Sequence, residues 1–212
     1  MNTKISAKAG SILKCGFASK GLRSYIAFSG GLLVPKVFGS SSTNLKSKIG
    51  GYKGRKLLAG DELAIGVNKI PRSVHNIDFS NGFIQNSFLN PYFSKNKDVL
   101  VLDCIKSSQF KNFTKMIVKK FTDSIYTVSA ESDRMGIRFT GQSLECGKTD
   151  IISDAIPFGA VQITSAGLPV VMAADRQTTG GYAKIACVTK ASMCQLAQAI
   201  PGTKVRFNLL PF

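Results

Sequence analysis

From residue 98 to residue 209 the chain is a succession of short apolar runs, each of strand length and each bounded by turn-forming residues. Residues 98–105 form a continuous apolar run, whereas 125–130 and 137–140 alternate apolar with polar; further runs follow at 159–164, 168–174, 183–189 and 205–209. Alternating runs predict strands with one face buried, and continuous runs predict strands buried on both faces. So many short strands at close spacing predict a mainly β fold, a barrel or sandwich with few short helices. One helix is predicted near the C-terminus, with Ser192 as its cap, Gln195 completing a capping box and Pro201-Gly202 ending it. Its apolar positions Met193, Leu196, Ala197 and Ile200 fall at helical spacing, suited to covering one end of a barrel. Upstream, residues 23–28 alternate and end at Gly30-Gly31, which predicts one more strand.

The composition is that of a folded globular protein, with 44% hydrophobic and 19% charged residues among 212. The formal charge of +16 is the unusual quantity, and it is distributed as a gradient. Residues 1–66 carry eleven Lys/Arg against two acids, 67–130 nine against four, and 131–212 eight against six. A basic front half suits a partner-facing surface. Its lysines are scattered among Ser, Asn and Gly, with no basic helix, zinc-finger spacing or RNA-binding aromatic signature, which argues against nucleic acid as a partner. The five cysteines, Cys15, Cys104, Cys146, Cys187 and Cys194, are odd in number and never spaced as C-x-x-C, so neither a disulfide framework nor a zinc site is signalled. Reduced thiols fit a cytoplasmic protein. His75 is the only histidine, which excludes a multi-histidine metal site. The longest apolar runs are broken by Gly, Pro or Lys and predict no membrane segment; Lys14 likewise interrupts what would be the core of a signal peptide.

Residues 68–97 read as a connector, rich in Asn, Ser and Phe and containing Pro71 and Pro91. The expected organisation is a front piece at 1–67, the connector, and a second domain at 98–212. A front piece of that size is too small to close a barrel alone.

Chemistry is expected where Asp175, Arg176, Gln177, Thr178, Thr179, Gly180, Gly181 and Tyr182 follow the apolar run 168–174. A carboxylate, a guanidinium, an amide and two hydroxyls there precede a glycine pair. Glycine loops at strand ends turn backbone N–H groups toward anions. Asp133-Arg134, followed by Met135-Gly136, echoes the pattern. Two readings of each Asp-Arg couple stand side by side: a ligand clamp, or a structural ion pair with another element. Residues 39–43 likewise read either as an anion cradle or as a plain turn.

Ordered motifs along the chain carry a family resemblance. They run from Gly21-Leu22-Arg23-Ser24-Tyr25-Ile26-Ala27 through Gly30-Gly31, Val34-Pro35, Gly39-Ser40, Gly50-Gly51, Gly54-Arg55 and Gly60-Asp61. They continue through Ser132-Asp133-Arg134-Met135-Gly136-Ile137-Arg138, Gly159-Ala160-Val161-Gln162, the residues 174–182, Ala197-Gln198, Pro201-Gly202 and Val205-Arg206-Phe207. The chain resembles the KipA-like proteins, also called allophanate hydrolase subunit 2 or the biotin-dependent carboxyltransferase family, which include the C-type subunit of bacterial 5-oxoprolinase. It departs from the family pattern at Ser41, Asn44, Ile105-Lys106 and Ala183, and resembles a member lacking the usual N-terminal segment.

The resemblance implies cyclophilin-like β-barrels: one complete C-terminal barrel, preceded by the remainder of a first. It implies a subunit that works with a KipI-like, B-type subunit and an A-type subunit, using ATP at the level of the complex to open 5-oxoproline to glutamate. No metal or biotin attachment site is expected in this chain. The alternatives within the family are a carboxyltransferase acting on urea-derived substrates and a non-catalytic module that sequesters a KipI-like histidine-kinase inhibitor. For lactam opening, Arg176 or Arg134 is the expected clamp for the substrate carboxylate, because a guanidinium binds a carboxylate bidentately. Asp175 or Asp133 is expected to orient that arginine or act as base. Gln162, Gln177, Thr178, Thr179, Tyr182 and Arg138 are expected to bind substrate, with the N–H groups of Gly180 and Gly181 facing developing negative charge.

Overall fold

In a computed structural model, residues 5–18, 21–67, 98–147 and 150–211 are described. The connector expected at 68–97 and His75 lie outside the described residues. The chain divides into two units, one of residues 24–78 and one combining 1–23 with 79–212.

Among its described residues the second of these has nine strands, two short α-helices and one turn of 3-10 helix at Phe110–Asn112. In chain order they are β1 (Leu100–Lys106), α1 (Lys115–Asp123), β2 (Tyr126–Val128), β3 (Gly136–Gly141), β4 (Asp150–Ala155), β5 (Ala160–Ile163), β6 (Pro169–Met172), β7 (Thr179–Tyr182), β8 (Lys184–Val188), α2 (Lys190–Leu196) and β9 (Lys204–Leu209). Seven strands close a barrel in the order β1-β8-β5-β6-β3-β2-β9, while β4 and β7 pair with each other as a separate two-stranded ribbon. Closure comes from the parallel pairing of β1 with β9, which aligns Leu100 with Val205 and Cys104 with Leu209. All other neighbours in the barrel are antiparallel.

The sequence pattern explains the barrel directly. In β9, Val205 and Phe207 are buried and Lys204, Arg206 and Asn208 are exposed, the alternation of a half-buried strand. β5, by contrast, is buried at all four positions: Val161 and Ile163 join the main core, Ala160 packs with Ile156 and Met172 in a second apolar cluster, and Gln162 is bonded to the Tyr182 carbonyl. Inside the barrel Phe121 of α1 stacks on Phe207 with ring centroids 4.6 Å apart, and Tyr126 and Phe139 meet Phe207 edge-on. Aromatic pairs in these geometries add to the value of their buried area.

Three expectations need correction. Residues 23–28 join no strand ladder among the described residues; the unit 24–78 contains only the isolated bridges Leu32–Ile65, Val37–Ser40 and Asn44–Ile49 among them. The C-terminal helix starts earlier than Ser192: Thr189 is its cap, accepting the Ser192 N–H at 3.3 Å. Ser192 is instead buried, its hydroxyl accepting the Asp103 N–H at 3.0 Å across to β1. Lastly, the glycine pair is not in a loop, since Gly180 and Gly181 lie within β7. Among the described residues no helix is long and apolar enough to cross a membrane.

Candidate functional site

β3 and β6 are neighbours in the barrel, with Gly136 opposite Met172, so the turn before β3 and the segment after β6 meet at one barrel end. That meeting joins the two Asp-Arg couples. Arg134 reaches across to Asp175 with Nε–Oδ2 at 2.8 Å and Nη2–Oδ1 at 3.0 Å, and the Asp175 N–H donates to the Arg134 carbonyl at 2.8 Å. The pair is bidentate but open to solvent, with side chains 60% and 40% exposed. The guanidinium beside it holds the Asp175 carboxyl below its ordinary range.

The other two charged residues are spent locally. Asp133 Oδ1 accepts the Met135 and Gly136 N–H groups at 2.8 and 3.0 Å, forming the side-chain turn that leads into β3. Arg176 donates Nε to the Ile156 carbonyl at 2.8 Å and Nη1 to the Ala173 carbonyl at 3.4 Å, with its guanidinium 5.8 Å from the Phe158 ring centroid. It thereby fastens the chain after β6 to the chain after β4.

Gln177, Thr178 and Thr179 follow this pair in sequence, at the entry to β7. Thr178 and Thr179 are exposed and Gln177 is likewise open to solvent. Gly180 lies opposite Asp154 in the ribbon and is not in the left-handed region. Close packing accounts for it, since a Cβ there would stand 2.7 Å from Ile156 Cδ1. Gly180 and Gly181 therefore present a strand backbone, and the loop that turns N–H groups toward an anion is absent at this pair. Gln162 is buried, with its Nε2 donating to the Tyr182 carbonyl at 3.4 Å, so it ties β5 to β7. Arg138 stands exposed on β3.

Sequence reasoning missed a buried cation. The Lys184 side chain, first in β8, is only 3% exposed, and its Nζ donates to Asp154 Oδ2 at 2.9 Å. Gln109 completes the group: its Nε2 donates to the same carboxylate oxygen at 2.6 Å and its Oε1 accepts the Lys184 N–H at 3.0 Å. Ser107 Oγ donates to the Lys184 carbonyl. The ammonium and the Ala155 N–H hold the Asp154 carboxyl below its ordinary range. The available signal was a lone lysine opening the apolar run Ile185-Ala186-Cys187-Val188.

Three of the five thiols are held away from nucleophilic duty. Burial pushes the Cys104, Cys146 and Cys187 thiols up, away from the reactive thiolate form. Among the described residues no three of His, Cys, Asp and Glu are grouped to hold a metal ion. What the geometry offers is a solvent-facing carboxylate–guanidinium pair at one barrel end, with the exposed Thr178 and Thr179 following in sequence.

Comparison with known proteins gives this scaffold a family. The model for the carboxyltransferase domain, subdomain A and B, matches residues 1–209. The C-type subunit of 5-oxoprolinase from Haemophilus influenzae is 36% identical over 206 residues, covering 97% of this chain and 62% of that protein. Its counterpart from Escherichia coli, also a C-type 5-oxoprolinase subunit, is 34% identical over 205 residues, covering 96% of this chain and 61% of that protein. The chain thus spans about three-fifths of the length of these curated relatives. Among solved structures, Kluyveromyces lactis urea carboxylase superposes with a TM-score of 0.72 at 22% identity, covering 91% of this chain and 18% of that one, a likeness of fold. Ordered motifs, a closed β-barrel and a match across nearly every residue agree, and the chain belongs to the carboxyltransferase domain family.

Proposed function

We propose that this chain is the C-type subunit of an assembly that opens the lactam of 5-oxoproline to glutamate at the expense of ATP, working with a KipI-like subunit and an A-type subunit. The observation that carries this reading is the 36% identity to a C-type 5-oxoprolinase subunit across 97% of the chain. ATP is assigned to the complex rather than to a site in this subunit. In the reaction, water adds to the activated lactam carbonyl, the ring C–N bond breaks, and the released amine takes a proton.

The geometry distributes the roles. Arg176 is committed to two backbone carbonyls, so Arg134 is the better clamp for the substrate carboxylate. Its present partner, Asp175, is itself a carboxylate in an exposed bidentate pair, and an incoming carboxylate replaces it like for like. Asp175, once displaced, is able to accept a proton near the reacting amide. Gln177, Thr178 and Thr179 supply hydrogen bonds from the adjoining segment. Asp133 and Arg176 act as positioning groups for the two ends of this site.

The test is reconstitution of the chain with KipI-like and A-type subunits, following glutamate and ADP with and without 5-oxoproline. Glutamate that requires every component is expected. A stable complex without turnover, from partners active with a full-length C-type subunit, would overturn the proposal.

A further inference from the structure

We propose that Lys184 is a positioning residue: through Asp154 and Gln109 it pins the β4–β7 ribbon to the barrel and so fixes the strand that carries Thr179 and the glycine pair. The catalytic consequence rests on the reading above, in which residues 177–179 meet substrate; the pin itself rests only on geometry.

The ribbon needs such a device. Among the described residues, β4 and β7 form a ladder with each other and with no strand of the barrel. Two adjacent residues of β7, Gly180 and Gly181, have no side chain with which to hold it in place. The residue opposite Gly180 is Asp154, and Asp154 is the group that Lys184 and Gln109 grip from the barrel side. The grip is rigid at its base, because Gln109 holds the Lys184 N–H and Ser107 holds its carbonyl.

Burial sharpens the point. The lysine side chain is 3% exposed while its partner carboxylate is 46% exposed. Taking an ammonium out of water is costly, and an apolar side chain of similar length would fill the same space without that cost. What the ammonium adds is a directed bond to one oxygen of a residue on the other layer. Gln162 to the Tyr182 carbonyl and Arg176 to the Ile156 carbonyl hold the chain here through backbone atoms, and Ile151 of β4 packs against the barrel core without a directed bond. Lys184 thus supplies a directed polar tie to a ribbon side chain that lies across from Gly180.

Hydrogen exchange on the full chain tests the pin without requiring activity. Lys184→Met is expected to speed exchange about tenfold or more at the protected amides of 150–155 and 179–182, while β1 and β9 keep their protection. Asp154→Asn, which leaves the lysine and changes only the ribbon, is expected to do the same, and it carries the test should Lys184→Met fail to fold. Lys184→Arg, which retains a cation, is expected to restore most of the protection. In the reconstituted complex Lys184→Met is expected to raise KM for 5-oxoproline more than it lowers kcat. Unchanged ribbon protection in both variants, uniform loosening of barrel and ribbon together, or a loss confined to kcat would each overturn the proposal. An inactive wild-type complex would overturn the assigned reaction instead, leaving the exchange result to decide the pin.

Discussion

Replacing Arg134 by alanine separates clamp from scaffold. The Arg134–Asp175 pair has good bidentate geometry at 2.8 and 3.0 Å, but its side chains are 60% and 40% exposed. A pair that open to solvent contributes about 1 kcal/mol or less, because water screens the attraction and two side chains lose freedom. For a unit of this size that is a fall in Tm of no more than about 2–4 °C. The buried structural ion pair considered from sequence would have lost several times as much. Activity is expected to fall much further: removing a charge-assisted clamp forfeits about 1.5–3 kcal/mol of substrate binding, or about tenfold to a hundredfold in kcat/KM. Differential scanning calorimetry and glutamate production by the reconstituted complex measure the two quantities on one preparation. A large loss of stability with unchanged activity per folded molecule would refute the clamp and the exposure argument together. pH supplies a second check. Because Arg134 lowers the folded-state pKa of Asp175 below its ordinary 3.8, the pair's contribution is fully present above 3.8 and is lost as pH falls through the lowered value. The melting temperatures of wild type and Arg134→Ala should therefore converge in strong acid and separate above it.

Two further perturbations probe the frame around the site. Thr189→Ala removes the N-cap bond to the Ser192 N–H and should cost about 1 kcal/mol in urea unfolding, whereas the capping box expected from sequence would have left Thr189 silent. Gly159→Ala should cost about 2–3 kcal/mol in the same assay, since φ is +86° there and a Cβ would stand 2.7 Å from the Val188 carbonyl oxygen that faces it. An unaltered midpoint for Gly159→Ala would show that the entry to β5 relaxes freely.

The barrel was legible in the sequence because its strands bury enough side chain to leave continuous or alternating apolar runs. β1, β5, β6, β8 and β9 coincide with such runs to within a few residues. The ribbon was not legible for the opposite reason. β4, Asp150–Ala155, has only partly buried Ile151 and Asp154 among exposed neighbours, and β7 is half glycine, so neither shows a strand period. α1 was unread because Ile117 and Phe121 are its only buried residues, four apart within a lysine-rich stretch. Ser192 and Gln195 imitate a capping box well, yet both are buried, which packing against β1 requires of Ser192 and local pattern does not reveal.

The site was half legible, and the missing half is a matter of partners. Sequence shows that Asp133 adjoins Arg134 and Asp175 adjoins Arg176; it does not show that Arg134 pairs with Asp175, 41 residues away. Nor does it show that Lys184 pairs with Asp154, 30 residues away. Once β3 and β6 are known to be neighbours, the repeated Asp-Arg couple becomes one feature seen twice, because each copy sits at the same end of adjoining strands. The division of labour then follows from what each charge already holds. Asp133 is bound to two backbone N–H groups and Arg176 to two backbone carbonyls, and a ligand could engage either only by undoing a turn or a fastening. Arg134 and Asp175 hold each other across solvent. An exposed pair gives up its partner at small cost, which is the reason we propose this pair as the place where a carboxylate from outside is exchanged for the carboxylate within.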